Sequence, residues 1–189
     1  MARVLVTPEA FTMVKFDHPR LVELVEEVAD GVGIPADLEV RVEVDEGSPL
    51  GRTKLVSVEP VALWIQGGAL ENPKVPRTLS DRSVRDVLAR LLFRAKDRLD
   101  PSFAGAPEDD DLSLQQHTAW DTYAVGRAER LGYKPSKQRR LYHFRNRHGF
   151  SDVADTVFDR LWSADALTWA DLEAACAETA AAREPEPAA

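Results

Sequence analysis

A single cysteine, Cys176, stands in a chain of 189 residues, so no intrachain disulfide can form. A reducing compartment, and hence a cytoplasmic home, is expected. Long apolar runs are also missing. Met1–Val6 is too short for a signal peptide, and no stretch approaches the roughly 18–20 apolar residues of a membrane span, which argues against a membrane partner. Glycine is sparse where phosphate chemistry would need it. Gly67-Gly68 lacks the further Gly and the Lys-Ser/Thr spacing of a phosphate-cradling loop. Histidines number four, few for a metal cluster, and no internal repeat is visible. Cys176 lies among Ala and Leu, where a thiol is expected to be inert core rather than a nucleophile.

Apolar residues make up 44% and charged residues 30%, enough for a sizeable core without staples. Charge is unevenly spread. Between Arg127 and His148, eight Lys or Arg residues face one acid, Glu129; that segment nets +7 in a chain of −8, leaving −15 for the rest. Such asymmetry is the strongest charge signal present.

Residues 2–16 alternate loosely and suit one or two short strands. Asp17-His18-Pro19 reads as a helix start. Leu21, Leu24, Val25 and Val28 follow as an apolar stripe that Gly31 and Gly33 end. Leu38 to Val44 alternates strictly, the mark of a half-buried strand. Thr53–Val58 and Val61–Ile65 are two more strand candidates. Their short connections predict an antiparallel meander, and Pro60 with Gly67-Gly68 suggests an edge strand. Ser80 caps a helix over 81–99 with Val84, Val87, Leu88, Leu91, Leu92, Ala95 and Leu99 on one apolar face. Residues 101–112, with four consecutive acids from Glu108 to Asp111, read as a solvated loop. Ser113 and Gln116 form a capping box for a helix to Leu131. Helices from Ser136 to His148, from Ser151 (with Val153, Val157, Phe158, Leu161 and Trp162 inward) and from Thr168 complete the chain. The class is therefore α+β: a small antiparallel meander preceded by one helix and followed by packed helices. The expected organisation is a core over 1–132, a helical extension over 133–182 packed on it, and a disordered tail over 183–189.

Trp64-Ile65-Gln66-Gly67-Gly68 before a long helix, and Trp120-Asp121 on the helix after it, give an order that resembles a small zincin metallopeptidase of the minigluzincin type over residues 17–132. The resemblance implies a zincin-like fold with HExxH on the long helix and a third zinc ligand from the next one. Here the host run reads Leu88-Ala89-Arg90-Leu91-Leu92-Phe93-Arg94-Ala95. Arg90 and Arg94 stand in the histidine places and Leu91 in that of the glutamate. A guanidinium cannot ligate zinc and a leucine cannot act as a base, so the resemblance implies a pseudoenzyme without catalytic residues and without a cofactor.

Several constellations carry two readings each. Arg90 and Arg94 are an anion fork in a former cleft, or a solvated face paired with Asp86 and Asp97. His117 and Asp121, one turn apart, are weak metal candidates, or a capping-turn His beside a paired Asp. The run 134–148 mixes cations with Tyr142 and Phe144, as nucleic-acid binding needs. Its cations can equally neutralise the acidic loop 108–111, with Leu141, Phe144 and His148 turned to the core. The preferred reading is a non-catalytic binding protein that takes an anionic small ligand or a protein partner through Arg90, Arg94, Arg127, Arg139, Arg140, Arg145 and Arg147. The alternatives are an enzyme with an unfamiliar acid/base or metal site using Asp97, His117 or Asp121, and a nucleic-acid binder built on residues 134–148. The oligomeric state stays open.

Overall fold

The computed structural model describes residues 2–183. Its first strand, β1 (Arg3–Thr7), leads to α1 (His18–Val32), which Asp17 caps by accepting from the Arg20 amide and which Gly33 ends in the left-handed conformation. β2 (Glu39–Asp45) lies parallel to β1, so β1, α1 and β2 form a βαβ unit. β3 (Thr53–Val58) and β4 (Val61–Gln66) make a hairpin.

The strand order differs from the expected meander. The sheet runs β1-β2-β4-β3, with β4 parallel to β2 and antiparallel to β3. The chain passes over β4's place through residues 46–52 and returns, so β3 is an edge and β4 is central. Val61, Leu63 and Ile65 are accordingly buried. Pro60 sits in the hairpin turn, where its missing N–H removes no ladder bond.

A short ribbon, β5 (Glu71–Asn72) and β6 (Val75–Leu79), precedes α2 (Asp81–Leu99), which Ser80 caps. The sheet's inner face packs on α1 and α2 in one hydrophobic cluster. α3 (Leu114–Arg130) follows the loop 100–113, opened by the Ser113–Gln116 capping box. α4 (Lys137–His148), α5 (Asp152–Ser163) and α6 (Trp169–Ala181) then gather a second cluster around Trp120, Phe144, Phe158, Trp162 and Trp169. α3 serves both clusters: Ala124 and Ala128 face the first, Trp120 and Tyr123 the second. The class is thus α+β with a mixed sheet. Val153, expected inside, is exposed. The tail expected over 183–189 falls, beyond Arg183, outside the described residues. No described helix is long and apolar enough to cross a membrane.

Candidate functional site

α2 is covered on one side by the sheet and α1, and on the other by α3. The middle of its polar side is therefore enclosed, and Arg90 and Arg94 do not lie on the expected solvated face. Arg90 and Arg94 are both buried, and neither pairs with Asp86 or Asp97. Arg90 Nη1 donates to Asp121 Oδ2 at 3.2 Å and its Nη2 to Thr53 Oγ1 at 2.9 Å. Arg94 Nη1 donates to Asp121 Oδ1 at 3.3 Å, and its Nη2 donates to Asp109. The Nε atoms of both arginines are buried without a partner.

His117 completes the cluster. Its Nε2 lies 3.2 Å from Arg94 Nη1, which has only hydrogens to offer, so Nε2 accepts. Its Nδ1, 3.4 Å from Asp121 Oδ2, carries the proton. Burial pushes the Asp121 carboxyl up, but Arg90, His117 and Arg94 outweigh it and hold the group well below the usual carboxylate range. The lone pairs that would make His117 and Asp121 metal ligands are thus turned to guanidiniums. Among the described residues, no group of three His, Cys, Asp or Glu side chains is placed to hold a metal ion.

The acidic loop does not pair with the basic segment, contrary to expectation. Asp109 accepts from Arg94, from Arg98 Nη2 at 3.1 Å and from the Leu55 amide at 3.1 Å, while Asp110 pairs with Lys54. The loop is pinned between the edge strand and α2 instead of lying free. Arg127 is likewise consumed. It grips Asp97 through two bonds of 2.7 Å, and Trp120 Nε1 donates to the same carboxylate at 2.7 Å. Neither Arg127 nor Asp97 is left to act on a ligand.

α4 packs through Leu141, Phe144 and His148, as its spacing predicts. Its flank toward α5 is neutralised, Arg145 by Asp155 and Lys137 by Asp159. Among the described residues, the side chains of Arg139, Arg140 and Arg147 make no ion pair. Between α3 and α4 opens a pocket of about 270 Å³, lined by His117, Thr118, Asp121 and Thr122 on one wall and by Arg140, His143, Asn146 and Arg147 on the other. Burial, and next the nearby Arg90, push the Arg140 guanidinium down to about 10, against the pull of Asp121. His143 is lowered by burial and then by Arg140, Arg139 and Arg147.

Of the seven arginines expected to bind a ligand, Arg140 and Arg147 line this pocket and Arg139 stands exposed beside it. Arg90 and Arg94 lie behind its Asp121 wall, and Arg127 and Arg145 are used up elsewhere. Sequence reasoning missed His143 and Asn146, although 139, 140, 143, 146 and 147 mark one helical face. Thr53 and Asp109 gave no local signal. No family model, no curated protein and no solved structure matches this chain.

Proposed function

We propose that this chain is a non-catalytic binding protein whose α3–α4 pocket takes an anionic ligand through a phosphate or carboxylate group. The observation that carries the reading is Arg140, a guanidinium in a pocket wall with no anionic partner among the described residues, with Arg147 beside it. A partly buried cation that no carboxylate pairs directly carries a desolvation cost, and an anion seated against it relieves that cost. The surroundings add to the excess. Arg90, Arg94, Arg98 and Arg140 converge where Asp109 and Asp121 pair with the first three and none of the described carboxylates pairs directly with Arg140. The Thr118 and Thr122 hydroxyls already donate within α3, which leaves Asn146, His143 and the arginines as pocket donors.

The scaffold reading is that of a zincin-like protein with its metal site erased. It is supported by Arg90 and Arg94 both reaching Asp121 on the following helix, the helix that supplies the third ligand in that family. Two guanidiniums then supply fixed positive charge in place of an ion, with no base at Leu91. A cytoplasmic location fits the lone thiol.

Titration calorimetry with inorganic phosphate, pyrophosphate and citrate tests the pocket. Pyrophosphate or citrate is expected to bind the wild-type protein, and Arg140→Met to lose that binding while Arg41→Met, on the far face of the sheet, keeps it. Equal binding by Arg140→Met would remove the pocket from consideration.

A further inference from the structure

We infer that the exposed face of α4 binds a short single strand of nucleic acid, with one phosphate in the Arg140–Arg147 pocket and bases stacked on Tyr142 and Phe150; this rests on the anion reading of that pocket.

Arg139, Tyr142, His143, Asn146, Arg147 and Phe150 recur at intervals of three and four residues, so they form one stripe along the helix and just past its end. Two independent features coincide on it. The first is charge: Lys137 and Arg145, facing α5, are neutralised, whereas among the described residues Arg139, Arg140 and Arg147 are not. The second is open aromatic surface. Tyr142 is 58% and Phe150 68% exposed, and they are the only exposed Phe, Tyr or Trp rings among the described residues. Their centroids lie 6.4 Å apart at 69°, so the two rings offer faces in different directions.

Arg139 and Arg147 are eight positions apart, about 12 Å along the helix axis, and Tyr142 lies between them. Cation, ring, cation in that order matches phosphate, base, phosphate. An acidic peptide answers the arginines but leaves both ring faces without a flat partner. Base stacking on aromatic rings answers both and tolerates any base. Asn146 adds an amide able to read a base edge. The −15 carried by the rest of the chain repels a long polyanion, so contact is confined to this helix and the strand recognised is short.

The test is fluorescence anisotropy with a labelled short oligothymidylate on the full chain. It is set against Arg140→Met and the double variant Tyr142→Ser with Phe150→Ser, whose folding is checked by thermal melts. Binding is expected with a log–log salt slope of about −1.4, the release expected for two neutralised phosphates on a single strand. The ring variant is expected to bind about tenfold or more weakly with its slope unchanged, and Arg140→Met to flatten the slope. Pyrophosphate binding should survive in the ring variant. Oligothymidylate binding that is absent, or indifferent to the two rings, would overturn the inference, while pyrophosphate bound through Arg140 would leave the pocket reading standing. Failure of pyrophosphate and citrate alike on the wild-type protein would take both down. Polyglutamate competing equally, with no dependence on the rings, would replace the strand by an acidic protein.

Discussion

Arg94, buried in the middle of α2, meets Asp121 of α3 at 3.3 Å, and the same carboxylate meets Arg90 at 3.2 Å. Asp121 is therefore the shared counter-charge of two buried guanidiniums. Breaking such a pair from one side leaves uncompensated charge, which costs about 3–5 kcal/mol. Here Arg90 loses its one paired carboxylate, while Arg94 keeps Asp109. Asp121→Asn is expected to destabilise the protein within that range in urea denaturation, with little change in m. Arg94→Met should cost less, because Asp121 keeps Arg90. The reverse ranking would mean that the arginines, not the carboxylate, organise the cluster.

Acid should act in two stages. His148 stacks on Phe144 at 3.9 Å, donates from Nε2 to the Gln115 carbonyl and receives the Thr179 hydroxyl at Nδ1. Burial lowers its pKa from 6.5 to about 4, opposed by the Gln115 bond. The unfolded chain thus binds a proton that the folded one refuses, and stability falls as pH drops from about 6.5 to about 4. The full loss is on the order of 3 kcal/mol. Asp121, depressed in the fold, adds its loss only below the usual carboxylate range, as its contribution is present above it. Denaturation curves at stepped pH should show the first stage vanish in His148→Gln and the second persist.

Much of this was legible locally. The caps at Asp17, Ser80, Ser113 and Ser151 and the stripe of α2 depend on neighbours within one turn, and the structure repeats them. Long-range partnership was not legible. The alternation of residues 38–44 declares a strand but not its neighbour, so the β2–β4 pairing stayed hidden. Periodicity places Arg90 and Arg94 on a polar face; only α3, some thirty residues on, makes that face an interior. Asp109 sits in a run of four acids from Glu108 to Asp111, and no local rule selects the one that is buried. Conversely, the outward arginines of α4 were readable, because inward and outward follow from one helix alone.

Cys176 lies on α6 with its thiol pushed up to about 11 by burial and next by Glu173. Alkylation needs the thiolate, so the folded protein should react with iodoacetamide at pH 8 far more slowly than the urea-unfolded chain. Comparable rates in both states, followed by mass spectrometry, would show the α6 region opening readily.

Gly126 turns a general helix rule around. In an exposed helix interior, Gly→Ala stabilises by about 1 kcal/mol, because alanine gives up less backbone freedom. Gly126 lies inside α3, where a Cβ would stand 2.0 Å from the Trp162 carbonyl oxygen at the end of α5. That atom is backbone, so no rotamer change can relieve the clash. The same backbone also receives Arg130 Nη1 at 2.8 Å, which holds the carbonyl in place. Gly126→Ala must then push α5 away and loosen Phe158, Leu161 and Trp162 in the second cluster. Overpacking of this kind costs about 1–3 kcal/mol, enough to outweigh the propensity gain. The variant is expected to melt several degrees lower. Since α3 also carries Asp121 and one wall of the pocket, pyrophosphate binding should weaken with it. A melt at or above the wild-type temperature would mean that α3 and α5 do not approach at Gly126 as closely as this geometry requires.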